Sequence, residues 1–170
     1  MLKKYLIIFL ISMVPLIELR GAIPVALSPS DMEFFTIFHG MGLPVLPSFI
    51  ICIVGNMIPV PIIYLYARKV LEWGCDKPII GGFFSWCLEK GEHGGQKLQQ
   101  KAGRGLYVAL LLFVGIPLPG TGAWTGTLAA SILDMDFKKS VLACMGGVLL
   151  AGLIMSITSY GAFAAIRAAF

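Results

Sequence analysis

The chain has 170 residues, 58% of them hydrophobic and 13% charged, with a formal net charge of +4. Soluble domains carry about 25% charged residues, so the composition excludes an ordinary soluble domain. It also excludes a disordered chain and a nucleic-acid module with a broad basic face. A single membrane domain fits the length.

No cleavable signal peptide is read at the start. Lys3 and Lys4 precede an apolar run, but that run contains Pro15, Glu18 and Arg20 and has no small-residue cleavage site. Cys52, Cys75, Cys87 and Cys144 are scattered, without metal spacing or a disulfide framework. No cofactor is expected.

In chain order, residues 5–29 are apolar except for Glu18 and Arg20. Residues 43–67 are uncharged, as are 105–133 and 140–166. A spanning helix needs about 20 apolar residues, so 43–67 and 140–166 read as transmembrane helices. Asn56, Pro59 and Pro61 predict a kink in the first of them.

The other two stretches are broken at their centres. Pro117, Pro119, Gly120 and Gly122 cannot sustain a regular helix. The flanks 105–114 and 123–133 are each roughly 15 Å long as helix, half a bilayer. Pro15, Glu18, Arg20, Gly21 and Pro24 interrupt 5–29 in the same way. Irregular backbone survives in a membrane only where protein or a watery cavity covers it.

Residues 68–104 read as a cytoplasmic loop with an amphipathic segment near 83–101. Arg68, Lys69, Lys77, Lys90, Lys97, Lys101 and Arg104 set its side by the positive-inside rule. The loop 30–42 has no Lys or Arg and is expected to face outward.

The two halves repeat one order: broken stretch, loop, span. Pro15 through Gly21-Ala22 resembles Pro117 through Gly122-Ala123. Cys52-Ile53-Val54-Gly55 resembles Cys144-Met145-Gly146-Gly147. The expected fold is an all-α integral membrane domain of two pseudo-inverted repeats. Each repeat is a re-entrant hairpin (5–29, 105–133) plus a transmembrane helix (43–67, 140–166). Charge counting does not separate re-entrant from spanning broken stretches, nor does it fix the side of the N-terminus.

Glu18 and Arg20 carry the chemistry. An ionisable group at the bilayer centre costs about 2.5–3.5 kcal/mol on insertion scales, and this segment holds two. One role is a structural ion pair pinning the loop. The other is functional: Arg20 binds an anionic head group, which suits its fork of donors, and Glu18 exchanges a proton. Gly21, Asn56, Thr121, Gly122, Trp124 and Thr125 complete the candidate substrate-binding set. A half-helix starting near Gly122 would aim free N–H groups at an anion, as broken helices do in transporters. Tight packing through small residues is the alternative there. Nothing supports catalysis or a metal: no Ser-His-Asp set, Cys-His pair or carboxylate cluster is present in the sequence.

Three segments carry a resemblance: Leu16-Ile17-Glu18-Leu19-Arg20-Gly21-Ala22-Ile23-Pro24, Gly55-Asn56-Met57-Ile58-Pro59-Val60-Pro61, and Ile116-Pro117-Leu118-Pro119-Gly120-Thr121-Gly122-Ala123-Trp124-Thr125-Gly126. The chain resembles the small multidrug export protein family over nearly its whole length, apart from residues 70–102. That family is similar to the DedA (VTT) superfamily of membrane proteins. The resemblance implies two re-entrant hairpins, proton-linked drug tolerance, undecaprenyl phosphate flipping and lipid scrambling. Glu18 and Arg20 match the acid and base expected on the first hairpin. DedA members usually carry an arginine on the second hairpin, whereas this chain has no basic residue between Arg104 and Lys138.

The expected function is therefore proton-coupled translocation of an amphipathic substrate with an anionic head group, such as a polyprenyl phosphate, in a prokaryotic inner membrane. The partners are then lipid or an amphipathic small molecule, and protons. The small size leaves room for a homodimer. The first alternative is proton-coupled efflux of cationic drugs, with Glu18 binding the cation. The second is a structural membrane protein acting through the loop 68–104.

Overall fold

The computed structural model describes residues 2–15, 17–29, 33–34, 38–77, 81–82, 85, 105–118 and 121–169. Among the described residues, seven helices and one short ladder can be delimited, with further helical residues at 81–82 and 85. The seven helices are α1 (Leu2–Met13), α2 (Glu18–Leu27), α3 (Val45–Met57), α4 (Pro59–Cys75), α5 (Gly105–Gly115), α6 (Ala123–Ile132) and α7 (Phe137–Ala169). The ladder pairs β1 (Glu33–Phe34) with β2 (Phe38–His39), antiparallel, with Glu33 opposite His39.

Prolines set the interruptions. α1 stops two residues before Pro15 and α5 two before Pro117, because the residue ahead of a proline is pushed out of helical conformation. α3 and α4 meet at a bend on Ile58, immediately before Pro59. The helix then runs on to Cys75, past the expected end of the span at 67. Apolar character ends there, but Arg68, Lys69, Leu71 and Glu72 are good helix formers. The expected loop therefore begins later than residue 68, and its amphipathic segment at 83–101 lies outside the described residues apart from Ser85.

Both broken stretches fold back on themselves. At the open end of the first, the Lys4 ammonium donates to the Met41 carbonyl at 2.8 Å, while the Met41 N–H donates to Val25 at the far end of α2 at 3.1 Å. At the open end of the second, the Asp136 N–H donates to the Tyr107 hydroxyl at 3.3 Å. The start of each first helix thus lies near the end of its second.

The long helices pack on these helix pairs crosswise. α1 lies on α3 and α5 on α7, while α2 also packs on α7 and α6 on α4. Gly55 and Gly147 have matching surroundings. A Cβ at Gly55 would come within 2.7 Å of the Phe9 carbonyl oxygen, and one at Gly147 within 2.7 Å of the Leu111 carbonyl oxygen. At each glycine a bare backbone lets the long helix touch the shorter one six residues before Pro15 or Pro117, as small residues do between membrane helices. Ile8, Leu19, Ile23, Cys52, Val60, Val114, Cys144 and Val148 form the centre of the core.

α6 ends in a Schellman motif. Asp134 takes the left-handed conformation (φ 51°), the Met135 N–H donates to Ala130 at 3.0 Å, and the Asp134 N–H donates to Ser131 at 3.2 Å. The Tyr64 hydroxyl of α4 donates to the Met135 carbonyl, and the Ser131 hydroxyl donates to the Tyr64 carbonyl at 2.9 Å. Tyr64→Phe should cost about 1 kcal/mol, the net worth of one such bond. A lower thermal midpoint in detergent would show it, and an unchanged midpoint would mean that this tie between α4 and α6 carries no stability.

Among the described residues, two stretches are long and apolar enough to cross a membrane: Val45–Cys75, spanning α3 and α4, and Phe137–Ala165 in α7. Exposed apolar side chains along them, such as Ile50, Ile62, Leu142 and Leu153, fit that environment.

Candidate functional site

The two breaks meet, and two ionisable side chains, Glu18 and Arg20, reach from the first into the second. Glu18 opens α2 with a left-handed backbone (φ 49°), a conformation that costs an L-residue roughly 1–2 kcal/mol. The carboxylate accepts the Ala123 N–H on Oε2 at 3.3 Å and the Trp124 N–H on Oε1 at 3.1 Å. These are the first N–H groups of α6, which have no partner inside their own helix. Gly122, the residue before α6, has no side chain to cap them. Glu18 therefore caps α6 from 105 residues away, and its charge faces the positive end of the helix dipole.

Arg20 grips the other side of the same loop. Its guanidinium donates to the Leu118 carbonyl and to Thr121 Oγ1 at 2.7 Å. Thr121 Oγ1 in turn lies 3.0 Å from the Ile116 carbonyl oxygen and 2.9 Å from that of Leu118. Acid and base thus hold the two ends of break two, the helix start and the loop carbonyls.

Gly122 makes room for this. Its φ of 138° and ψ of −175° suit glycine alone, and an added Cβ would lie 2.2 Å from Glu18 Oε2.

A cavity of about 300 Å³ opens at the crossing. Pro15, Glu18, Ile63, Thr121, Trp124, Thr125 and Leu128 line it. Four of the residues singled out from the sequence (Glu18, Thr121, Trp124, Thr125) therefore share one wall. Arg20 and Gly122 act on that wall from behind. Gly21 packs locally, where a Cβ would meet Ile17 Cγ2 at 2.4 Å. Asn56 stands apart: it is 2% exposed near the end of α3 and is not among the lining residues. Its Oδ1 has no hydrogen-bond partner among the described residues.

Sequence reasoning offered the α6 N–H groups to an anionic substrate, but Glu18 already occupies them. It did not find Ile63 and Leu128, ordinary apolar residues of helices that happen to close the cavity. Nor did it find the Met13 carbonyl, which accepts the Trp124 indole N–H at 3.2 Å. A larger groove of about 660 Å³ lies between α3 and α7. Its lining of Val45, Leu46, Phe49, Leu153 and Ile157 includes no ionisable group besides Tyr160, so it offers less chemistry.

Broken helices that meet around a carboxyl, with two helices outside them long and apolar enough to cross a membrane, fit a membrane protein. The family model described as "Putative small multi-drug export protein" matches residues 18–154, and the chain belongs to that family. The matched region starts on Glu18 itself, at the end of the first break, and includes the whole of the second. No curated protein and no solved structure matches the chain.

Proposed function

We propose that the chain exports amphipathic organic cations through the cavity at the crossed breaks, with Glu18 as the group that receives the cation. One observation carries this: Glu18 is the lining residue that brings an acidic group, a carboxyl able to balance a cation. The family description agrees with drug export. The polar hydrogens that an anion would need are committed elsewhere. The α6 N–H groups go to Glu18 and the Arg20 guanidinium goes to the loop.

Glu18 then serves cation and proton in turn, so that one charge crosses outward as another returns. The matched contacts of Gly55 and Gly147 and the crosswise packing support two hairpins related as inverted repeats. Rocking one hairpin-and-helix unit against the other would expose the cavity to each side alternately. In this reading both hairpins are re-entrant from opposite faces of a cell membrane.

A second reading, flipping of a lipid with a phosphate head group, draws on Arg20, a half-buried cation at the same crossing. Arg20→Ala separates the two. Under cation export, proteoliposomes holding the variant should still move a fluorescent lipophilic cation, at a rate within about tenfold of the native protein. Under lipid flipping, a labelled polyprenyl phosphate should move with the native protein and stop with the variant. Loss of cation movement in Arg20→Ala, with lipid movement present in the native protein, would overturn the first reading.

A further inference from the structure

Trp124 is tied down through both of its nitrogens. The backbone N–H donates to Glu18 Oε1 at 3.1 Å, and the indole N–H donates to the Met13 carbonyl at 3.2 Å. Indole has no other polar atom. The residue still lines the cavity, so its side chain can offer a ligand there only ring carbon and the π cloud above it.

The other lining groups are similarly committed. The Thr125 hydroxyl donates to the Gly122 carbonyl at 3.4 Å. The Thr121 hydroxyl lies within donating distance of the Ile116 and Leu118 carbonyls and accepts from Arg20. A hydroxyl has one proton, so neither threonine keeps a donor for a ligand. Pro15, Ile63 and Leu128 supply apolar wall. The cavity thus presents a fixed aromatic ring, hydrocarbon, and a carboxylate whose two oxygens each already accept one N–H.

We propose that Trp124 is the specificity-determining residue of this cavity, and that it selects quaternary ammonium compounds over primary amines of the same size. The proposal rests on the reading of the cavity as a cation site. A primary ammonium carries three N–H donors and is strongly hydrated. Entry strips its water and requires up to three acceptors, and here it must compete with the α6 N–H groups for Glu18. Unpaired donors in such a site cost heavily. A quaternary ammonium has no N–H to satisfy and spreads its charge over methyl hydrogens. A tryptophan face is the strongest of the protein π surfaces for such a cation, worth about 2 kcal/mol or more once water is excluded. The cavity, about 300 Å³, accepts a trimethylammonium head with a short tail and leaves a longer tail to run into lipid.

The test is a pair of titrations by calorimetry, with butyltrimethylammonium and with butylammonium, on the full chain in nanodiscs of neutral lipid. The native protein should bind the quaternary compound at least tenfold more tightly. Trp124→Phe should keep part of that preference, and Trp124→Leu should reduce it to less than twofold. The preference is a ratio measured within one variant, so a loss of folded protein does not move it. Retention of the tenfold preference in Trp124→Leu would overturn the role of Trp124. Equal binding of both compounds by the native protein, abolished by Glu18→Gln, would also overturn it while leaving the cation site standing. Failure of the native protein to bind either compound would remove the cation site itself, and the selectivity with it.

Discussion

Replacing Glu18 should abolish cation export, and the choice of replacement should separate chemistry from structure. Glu18 is 4% exposed and its carboxylate satisfies two N–H groups of α6. In Glu18→Ala both donors lose their partner at a site covered by protein. A buried donor without a partner costs about 1–3 kcal/mol, so two should lower stability by about 2–6 kcal/mol. That is a large part of the roughly 5–15 kcal/mol that holds a typical domain together. Glu18→Gln retains a carbonyl oxygen for one N–H and turns an amide donor toward the other. It should lose less stability than the alanine variant, about 1–3 kcal/mol, yet export should fall at least a hundredfold because no anion remains for the cation. The two quantities are read separately, as initial rates of fluorescent-cation movement in proteoliposomes and as thermal midpoints in detergent. Export by Glu18→Gln at the native rate would show that the carboxylate is a structural cap and nothing more.

The breaks were legible because their cause is local. Pro15 and Pro117 end helices through their own ring geometry, and no tertiary information is needed to see it. The repeat of Cys and Gly in Cys52–Gly55 and Cys144–Gly147 was legible for the same reason, although its use was not. The spacing could not say that Gly55 meets Phe9 and Gly147 meets Leu111. Helix ends were less legible than apolar limits: α4 continues to Cys75 because charge ends a hydrophobic run without ending a helix. The partner of Glu18 was not legible at all. Sequence patterning treated the acid in the first break and the exposed N–H groups of the second as two features, each awaiting a ligand. They are ligands for each other. The signal that could have joined them is complementarity: a membrane-buried acid needs donors, and the start of a membrane-buried helix needs acceptors.

The same complementarity makes Gly122→Ala a damaging substitution. Two costs arise from it, and only one involves Glu18. At φ 138° and ψ −175° the backbone stands where an L-residue is held at a cost of about 1–3 kcal/mol. The new Cβ would also sit 2.2 Å from Glu18 Oε2 and 2.8 Å from Oε1, inside any tolerable contact. The carboxylate must then leave, and the loss of its two N–H partners follows. Gly122→Ala should therefore cost more than Glu18→Ala in thermal stability and should match it in lost export. The double variant tests the account more sharply. With the Glu18 carboxylate already gone, the methyl group at 122 loses its three nearest clashes, all with Glu18, and the backbone cost is what chiefly remains. The double variant should be more stable than the sum of the single effects predicts, by at least about 1 kcal/mol, the scale of coupling expected between residues in contact. Strict additivity would mean that the carboxylate and the Gly122 backbone do not meet, and the capped crossing of the two breaks would fall with it.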